Sequence, residues 1–374
     1  MKKLIITVVV LALFILAYFL ATNKPTQPSK SLTDAIKDVI PLPQTKETKD
    51  REIIAQDLDI PWEVAFLPDG DYLVTERPGN LLKVGKDKKI IKVQGVQHVG
   101  EGGLMGLTLH PKFKENNLLY LYFTTGSGGN LTNKLERYKF DGNTISERKV
   151  VLEGVRGSSN HDGGRIAFGP DGNLYIGTGD AEQPEVAQNT KSLNGKILRI
   201  KDDGSIPSDN PFGNAVYSYG HRNVQGLTWD DRGNLWATEH GRSGFQSGFD
   251  ELNLIEMGKN YGWPTIQGDE ERAGMVRPVV HSGGSETWAP GGATYLNGSI
   301  FFVGLRGATL YEAKLNGKAV GKLKKHLKDE YGRIRSVQVG PDKMLYITTS
   351  NRDGRGIPKQ SDDKLIRINP NALR

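Results

Sequence analysis

The 374-residue chain contains no cysteine. This excludes disulfides, thiolate metal sites, a cysteine nucleophile and a lipid-modified N-terminal cysteine, while identifying no compartment. A surplus of one charge is nearly absent too. The net charge of +6 includes Lys2, Lys3, Lys24 and Lys30 at an acid-free start, which leaves +2 for everything after them. No large positive field remains over the folded part, so a nucleic-acid partner is not expected. Helical periodicity is scarce after residue 50. Residues 31–40 could form a short amphipathic turn, but a parallel α/β fold is not supported. What is abundant is glycine, 46 residues in all, against a usual share of about 7%. Excess glycine among many short apolar runs points to an all-β chain with tight turns.

One uncharged apolar run, residues 4–22, is long enough to span a bilayer as a helix. Lys2 and Lys3 before it would keep that end in the cytoplasm and export the rest. Ala17 and Ala21 lack the spacing of a small-x-small cleavage site. Residues 1–22 are therefore read as a signal-anchor, with a cleaved signal peptide as the alternative. Residues 23–50 read as a linker and 51–374 as an extracytoplasmic body, anchored or secreted.

The body repeats itself. A polar turn followed by a short apolar strand occurs at Pro68-Asp69-Gly70, Pro170-Asp171-Gly172, Asp231-Arg232-Gly233 and Pro341-Asp342-Lys343. Weaker copies follow His110-Pro111 and Asn297-Gly298. Such turn pairs supply the positive φ of a hairpin. The strands after them are apolar enough to be buried on both faces. Six copies at intervals of roughly 45 to 65 residues suit four-stranded blades, so a six-bladed β-propeller is expected. An array of β-sandwiches with coincidental turns is the competing architecture. Residues 52–56 and 364–368 are the candidate strands for closing the ring and hiding its edges. Long glycine-rich segments at 94–110, 153–165, 179–196, 202–226, 240–266 and 281–292 are expected to rise over one face and carry function.

Those segments hold the chemistry. Glu101 stands among glycines that let backbone approach a ligand. His161 lies in a Gly-rich turn just before a repeat strand, where an imidazole can serve as a base. Residues 220–226 crowd hydrogen-bonding side chains, including His221, Arg222, Asn223 and Gln225. The stretches 239–242, 250–253 and 260–264 concentrate the oxygen donors that hard cations such as calcium prefer. Arg333 and Arg335 alternate, so both guanidiniums fall on one face of a strand and suit a ligand with several carboxylates.

These motifs together resemble the soluble quinoprotein glucose/sorbosone dehydrogenase family, in its aldose sugar dehydrogenase branch. The likeness spans about 55–370. It rests on residues 100–107 (GEGGLMGL), His161 with Gly164-Arg165, residues 220–227 (GHRNVQGL), 250–254 (DELNL), 260–264 (NYGWP) and Trp288-Ala289-Pro290. The resemblance implies a six-bladed propeller that uses pyrroloquinoline quinone (PQQ) and calcium to oxidise the C1 hydroxyl of an aldose to a lactone. It further implies His161 as the base, with Arg222 near the quinone oxygens. Glu101 and Asn223 take cofactor-contacting positions, and Arg306, Arg333 and Arg335 hold the PQQ carboxylates. Gly241 and Arg242 offer backbone carbonyls to the PQQ-binding calcium, and Glu251 and Tyr261 form a second calcium site. The implied partners are a sugar and an external electron acceptor. Four positions depart from the glucose dehydrogenase pattern: Glu101 for Gln, Asn160 for Asp, Arg242 for Pro and Arg306 for Lys. Asn160 removes a charge that could tune His161. The competing functions are a noncatalytic extracellular binding propeller and a calcium-dependent sugar lactonase.

Overall fold

The structure, a computed structural model, is described for residues 49–244 and 247–373. The apolar run at 1–22, the turn at 31–40 and the linker up to residue 48 lie outside the described residues. Among those described, no helix is long and apolar enough to cross a membrane.

Six four-stranded antiparallel sheets follow one another along the chain. Blades one to five occupy 61–92, 104–156, 166–219, 224–281 and 290–326. Blade six takes three strands from 334–368 and its fourth, Arg51–Ala55, from the start of the body. That strand runs against Leu365–Ile368, with Arg51 opposite Ile368 and Ile53 opposite Ile366. The expected closure strands are thus paired. The first strands of the six blades contact one another in a closed ring, so they line the central channel.

The repeated motif is the turn between the first and second strands of each blade. Gly70, Gly172 and Gly233 take φ of 94°, 75° and 80° there. Lys343 stands at the same point of its copy with φ 63°, a conformation that costs a side-chain-bearing residue about 1–2 kcal/mol. The strands that follow are buried along almost their whole length: Leu174–Gly177, Leu235–Glu239, Ser299–Gly304 and Leu345–Thr349. They sit mid-sheet, covered by a neighbouring blade on each face, which is why their sequences do not alternate. Among the described residues, helix is confined to one turn at Phe113–Asn116 and short 3-10 turns.

The expected loops are interrupted by strands in three places: Leu104–Leu109 within 94–110, Glu251–Ile255 within 240–266 and Val216–Tyr219 within 202–226. Residues 202–226 do not rise as one loop. The segment after Lys196–Ile200 leads to Val216–Tyr219, and Val224–Trp229 is already blade four. Antiparallel strands alternate the end at which their connections emerge, so 201–215 lies at the end opposite 178–195.

Closure yields a test. A chain beginning at Asp57 lacks the strand that covers Leu365–Ile368 and exposes a sheet edge. Its melting temperature is expected to fall by about 10 °C or more relative to a chain beginning at Lys49. Equal melting curves would show that the ring does not need this strand.

Candidate functional site

A cavity of about 420 Å³ opens at one end of the channel. Its floor is made by irregularities in the innermost strands. The pairing of the first strand slips between Pro61 and Glu63, Leu104 and Leu107, Val224 and Gly226, and Ile334 and Ser336. The residues inside those bulges include Trp62, Met105, Gln225 and Arg335, and all four line the cavity. A bulge breaks the two-residue alternation and re-aims a side chain; here it turns four of them to the ligand end.

His161 stands on the wall. Its Nδ1 lies 2.7 Å from Asp180 Oδ1, and its backbone N–H donates to Glu101 Oε2 at 3.1 Å. Asp180 also accepts Trp263 Nε1–H on Oδ2 at 2.9 Å and Glu182 N–H on Oδ1 at 2.9 Å. With Nδ1 facing a carboxylate, Nε2 is left as the proton acceptor. His161 has φ 62°, held by two loops that press on its turn. A Cβ on Gly179 would fall 1.8 Å from His161 O, and one on Gly100 would fall 1.9 Å from Ser159 O. Only glycine permits these approaches.

Six arginines line the same cavity: Arg222, Arg242, Arg306, Arg333, Arg335 and Arg355. The lining acids balance them only in part. Asp250 is occupied by the N–H groups of Gly241, Trp288 and Ala289. Burial pushes the Asp162 carboxyl up to about 7, against donors from Asn133 and Ser158. Burial also opposes charge on Glu101, but His240, Arg355 and the His161 N–H hold it down to about 2. Burial lowers the Arg335 guanidinium to about 9, with Arg77 and Arg333 adding repulsion. Arg222 Nη1, Arg242 Nε and Arg335 Nε are buried with no protein partner. Charged donors buried in this state are costly unless a ligand satisfies them. His240 is pushed down to about 3, first by burial and then by Arg222 and Arg335 against the field of Glu101.

Behind this wall is a smaller cavity lined by Glu239, Gly241, Arg242, Glu251 and Tyr261. Glu239 and Glu251 face each other across paired strands. Burial raises Glu239 to about 7, and burial plus Glu239 raises Glu251 well above the carboxylate range. Two buried acids side by side suit a cation between them. Tyr261 cannot lend its hydroxyl, which donates to Leu254 O at 2.6 Å and accepts Glu256 N–H at 2.8 Å. Among the described residues, no cluster of three or more His, Asp or Glu is placed to hold a metal. A cation here would need backbone carbonyls.

The structure thus brings Glu101, His161, Arg222, Gly241, Arg242, Arg306, Arg333 and Arg335 to one cavity. Asn223 does not line it. Its carboxamide oxygen accepts Gly163 N–H at 2.9 Å, pinning the His161 turn from behind. His221 is buried between Glu239 and Ser218, at 2.9 and 2.8 Å. The charge lost at Asn160 is supplied from another loop by Asp180. Sequence reasoning missed Asp180, His240, Trp62 and Arg355. Position alone could have found two of them: His240 directly follows a repeat strand, and Asp180 lies three residues past the end of one, as Arg306 lies two.

Comparison with known proteins agrees with this geometry. Residues 58–366 match the family model described as glucose/sorbosone dehydrogenase. The aldose sugar dehydrogenase YliI of Escherichia coli is 32% identical over 81% of this chain and 90% of its own length. The PQQ-bound aldose sugar dehydrogenase of Streptomyces coelicolor is 40% identical, with a TM-score of 0.79 over 84% of this chain and 96% of that one. An oxidoreductase (glucose dehydrogenase) from Thermus thermophilus is 42% identical, with a TM-score of 0.81 over 85% of this chain and 98% of that one. With a matching ring of six blades and a match over nearly the whole body, the chain belongs to the glucose/sorbosone dehydrogenase family.

Proposed function

We propose that this sugar dehydrogenase oxidises the C1 hydroxyl of an aldose to the lactone with PQQ and calcium. The observation that carries the reading is the convergence of unpartnered arginine N–H groups beside a histidine oriented by a carboxylate. An anion with several carboxylates satisfies those donors. Arg222, Arg306, Arg333 and Arg335 would hold PQQ, and the carbonyls of Gly241 and Arg242 would face its calcium. When bound, PQQ supplies a two-electron acceptor for the C1 hydride. His161 Nε2 takes the hydroxyl proton. Asp180 keeps the ring in the required tautomer and stabilises the imidazolium that forms. Trp263 fixes Asp180 through its second oxygen. Glu239 and Glu251 support a second cation, with Tyr261 contributing packing on His221, ring to ring at 4.7 Å. Export, read from Lys2, Lys3 and residues 4–22, places the reaction and its electron acceptor outside the cytoplasmic membrane.

The decisive experiment is reconstitution. Purified protein supplied with PQQ and calcium is expected to reduce an artificial acceptor dye with aldoses. Lactone hydrolysis without a dye would favour the lactonase instead.

Three substitutions examine the parts. His161→Ala is expected to keep PQQ binding and melting temperature while losing about a hundredfold or more in turnover per PQQ-loaded molecule. Undiminished turnover would retire His161 as the base. Each charge-assisted pair to a carboxylate contributes about 1.5–3 kcal/mol, so Arg335→Ala should weaken PQQ binding about ten- to a hundredfold. A titration identical to that of the unmodified protein would remove Arg335 from the site. Calcium is expected to raise the melting temperature of the cofactor-free protein, and Glu251→Gln to abolish most of that rise. A full rise in the variant would place the cation elsewhere.

A further inference from the structure

Arg355 belongs to blade six, in the connection between Leu345–Thr349 and Leu365–Ile368, yet its contacts are on other blades. Its Nη1 pairs with Glu101 Oε1 at 2.5 Å and its Nη2 donates to Asn160 Oδ1 at 2.8 Å. Glu101 gives its other oxygen to His161 N–H. The turn carrying His161 is therefore held to blade six twice, directly at Asn160 and through Glu101 at His161 itself. The loop bearing Arg355 is anchored in turn. Asp353 accepts Arg333 Nε and Nη2 at 2.9 and 2.8 Å, and Arg355 N–H at 2.9 Å.

We propose that Arg355 is a positioning residue, a strap across the cavity mouth that holds the His161 backbone where its imidazole meets the substrate hydroxyl. This rests on the reading of His161 as the proton acceptor. Asp180 sets the ring's rotation but not the place from which the ring starts. That place is set by a left-handed backbone, which a residue with a side chain keeps only where its surroundings hold it. Glu101 is the near holder, and Arg355 is the only side chain that hydrogen-bonds or ion-pairs with it among the described residues. Without Arg355, Glu101 keeps one N–H donor and lies in the fields of Arg77 and Arg222. The Arg355 side chain is itself 52% exposed, so its removal opens no hole in the core.

Hydrogen exchange on the full-length protein without cofactor reads the strap directly. In Arg355→Gln, the His161 amide is expected to exchange about tenfold faster or more, as a locally loosened turn does. The melting temperature should stay within about 2 °C, since no core packing is lost. Turnover of the PQQ-loaded variant should fall about tenfold or more, the usual effect of a displaced catalytic group. Arg355→Lys keeps the charge but not the two-pronged contact, so it should fall between the two; it also serves if the glutamine variant folds poorly. In a Glu101→Gln background, the effect of Arg355→Gln on exchange should shrink to about threefold or less, because contacting residues are coupled. Unchanged His161 protection overturns the strap, and so do effects that add fully with Glu101→Gln. Exchange involves no cofactor, so it judges the strap even if PQQ fails to bind the unmodified protein, an outcome that would instead overturn the quinone reading.

Discussion

Everything at the site depends on six innermost strands packing side by side around one axis. A ring of blades has no free edge only if its two ends meet, and here Arg51–Ala55 completes the blade made by the end of the chain. Once closed, the ring surrounds one central axis. It is plugged by Glu63 and Arg165, an ion pair of two almost fully buried side chains. Glu63 also accepts from Ser336 Oγ at 2.8 Å and Val64 N–H at 2.9 Å. Arg165 lies over Trp62, 4.2 Å from the ring centre, and donates from Nε to Gln225 O at 2.8 Å. This plug joins blades one, three, four and six beneath the cavity floor. A buried pair of this kind adds little net stability, but loss of either partner leaves an uncompensated charge, typically at a cost of about 3–5 kcal/mol.

The same ring explains the electrostatics above the plug. Loops from all six blades must end near one point, so charges distant in sequence share a small, weakly solvated volume. There the acids differ by what surrounds them. Glu101, beside an arginine and a backbone donor, ionises readily. Asp162, in a more enclosed position, resists ionisation despite two donors. Asp250 spends its oxygens on three N–H groups and serves as a brace for Gly241. The arginines therefore keep a positive excess directed at the cavity rather than at each other's partners. An unpaired arginine excess is unfavourable for folding and favourable for holding an anion, the balance expected where binding takes precedence over stability.

Much of this was legible along the chain. The Asp-Gly turns, the buried strands after them and their number determine an all-β ring of six units, because each unit is local and needs only its own residues to form. The closing strands at 52–56 and 364–368 were legible because a ring of blades must join its two ends. The motifs at 100–107, 161–165 and 220–227 marked three stretches of the cavity wall, and the composition alone set aside thiol chemistry. Other features belong to the closed ring alone. Whether Trp62, Gln225 and Arg335 face the ligand depends on bulges, which shift pairing by a residue without a sequence mark strong enough to read. Arg355 meets Glu101 only because closure brings loops from separate blades to one mouth, and Asp180 meets His161 across the hairpin of blade three, where Ile166 pairs with Ile176. Asn223 turned inward to the Gly163 N–H of the neighbouring blade, while the Tyr261 hydroxyl took backbone partners a few residues away at Leu254 and Glu256. The sequence by itself determined the repeated unit and the chemical inventory. Tertiary structure decided which members of that inventory touch, since hydrogen bonds and ion pairs act over a few ångströms and groups far apart in the chain reach those distances only once strands pair and blades pack.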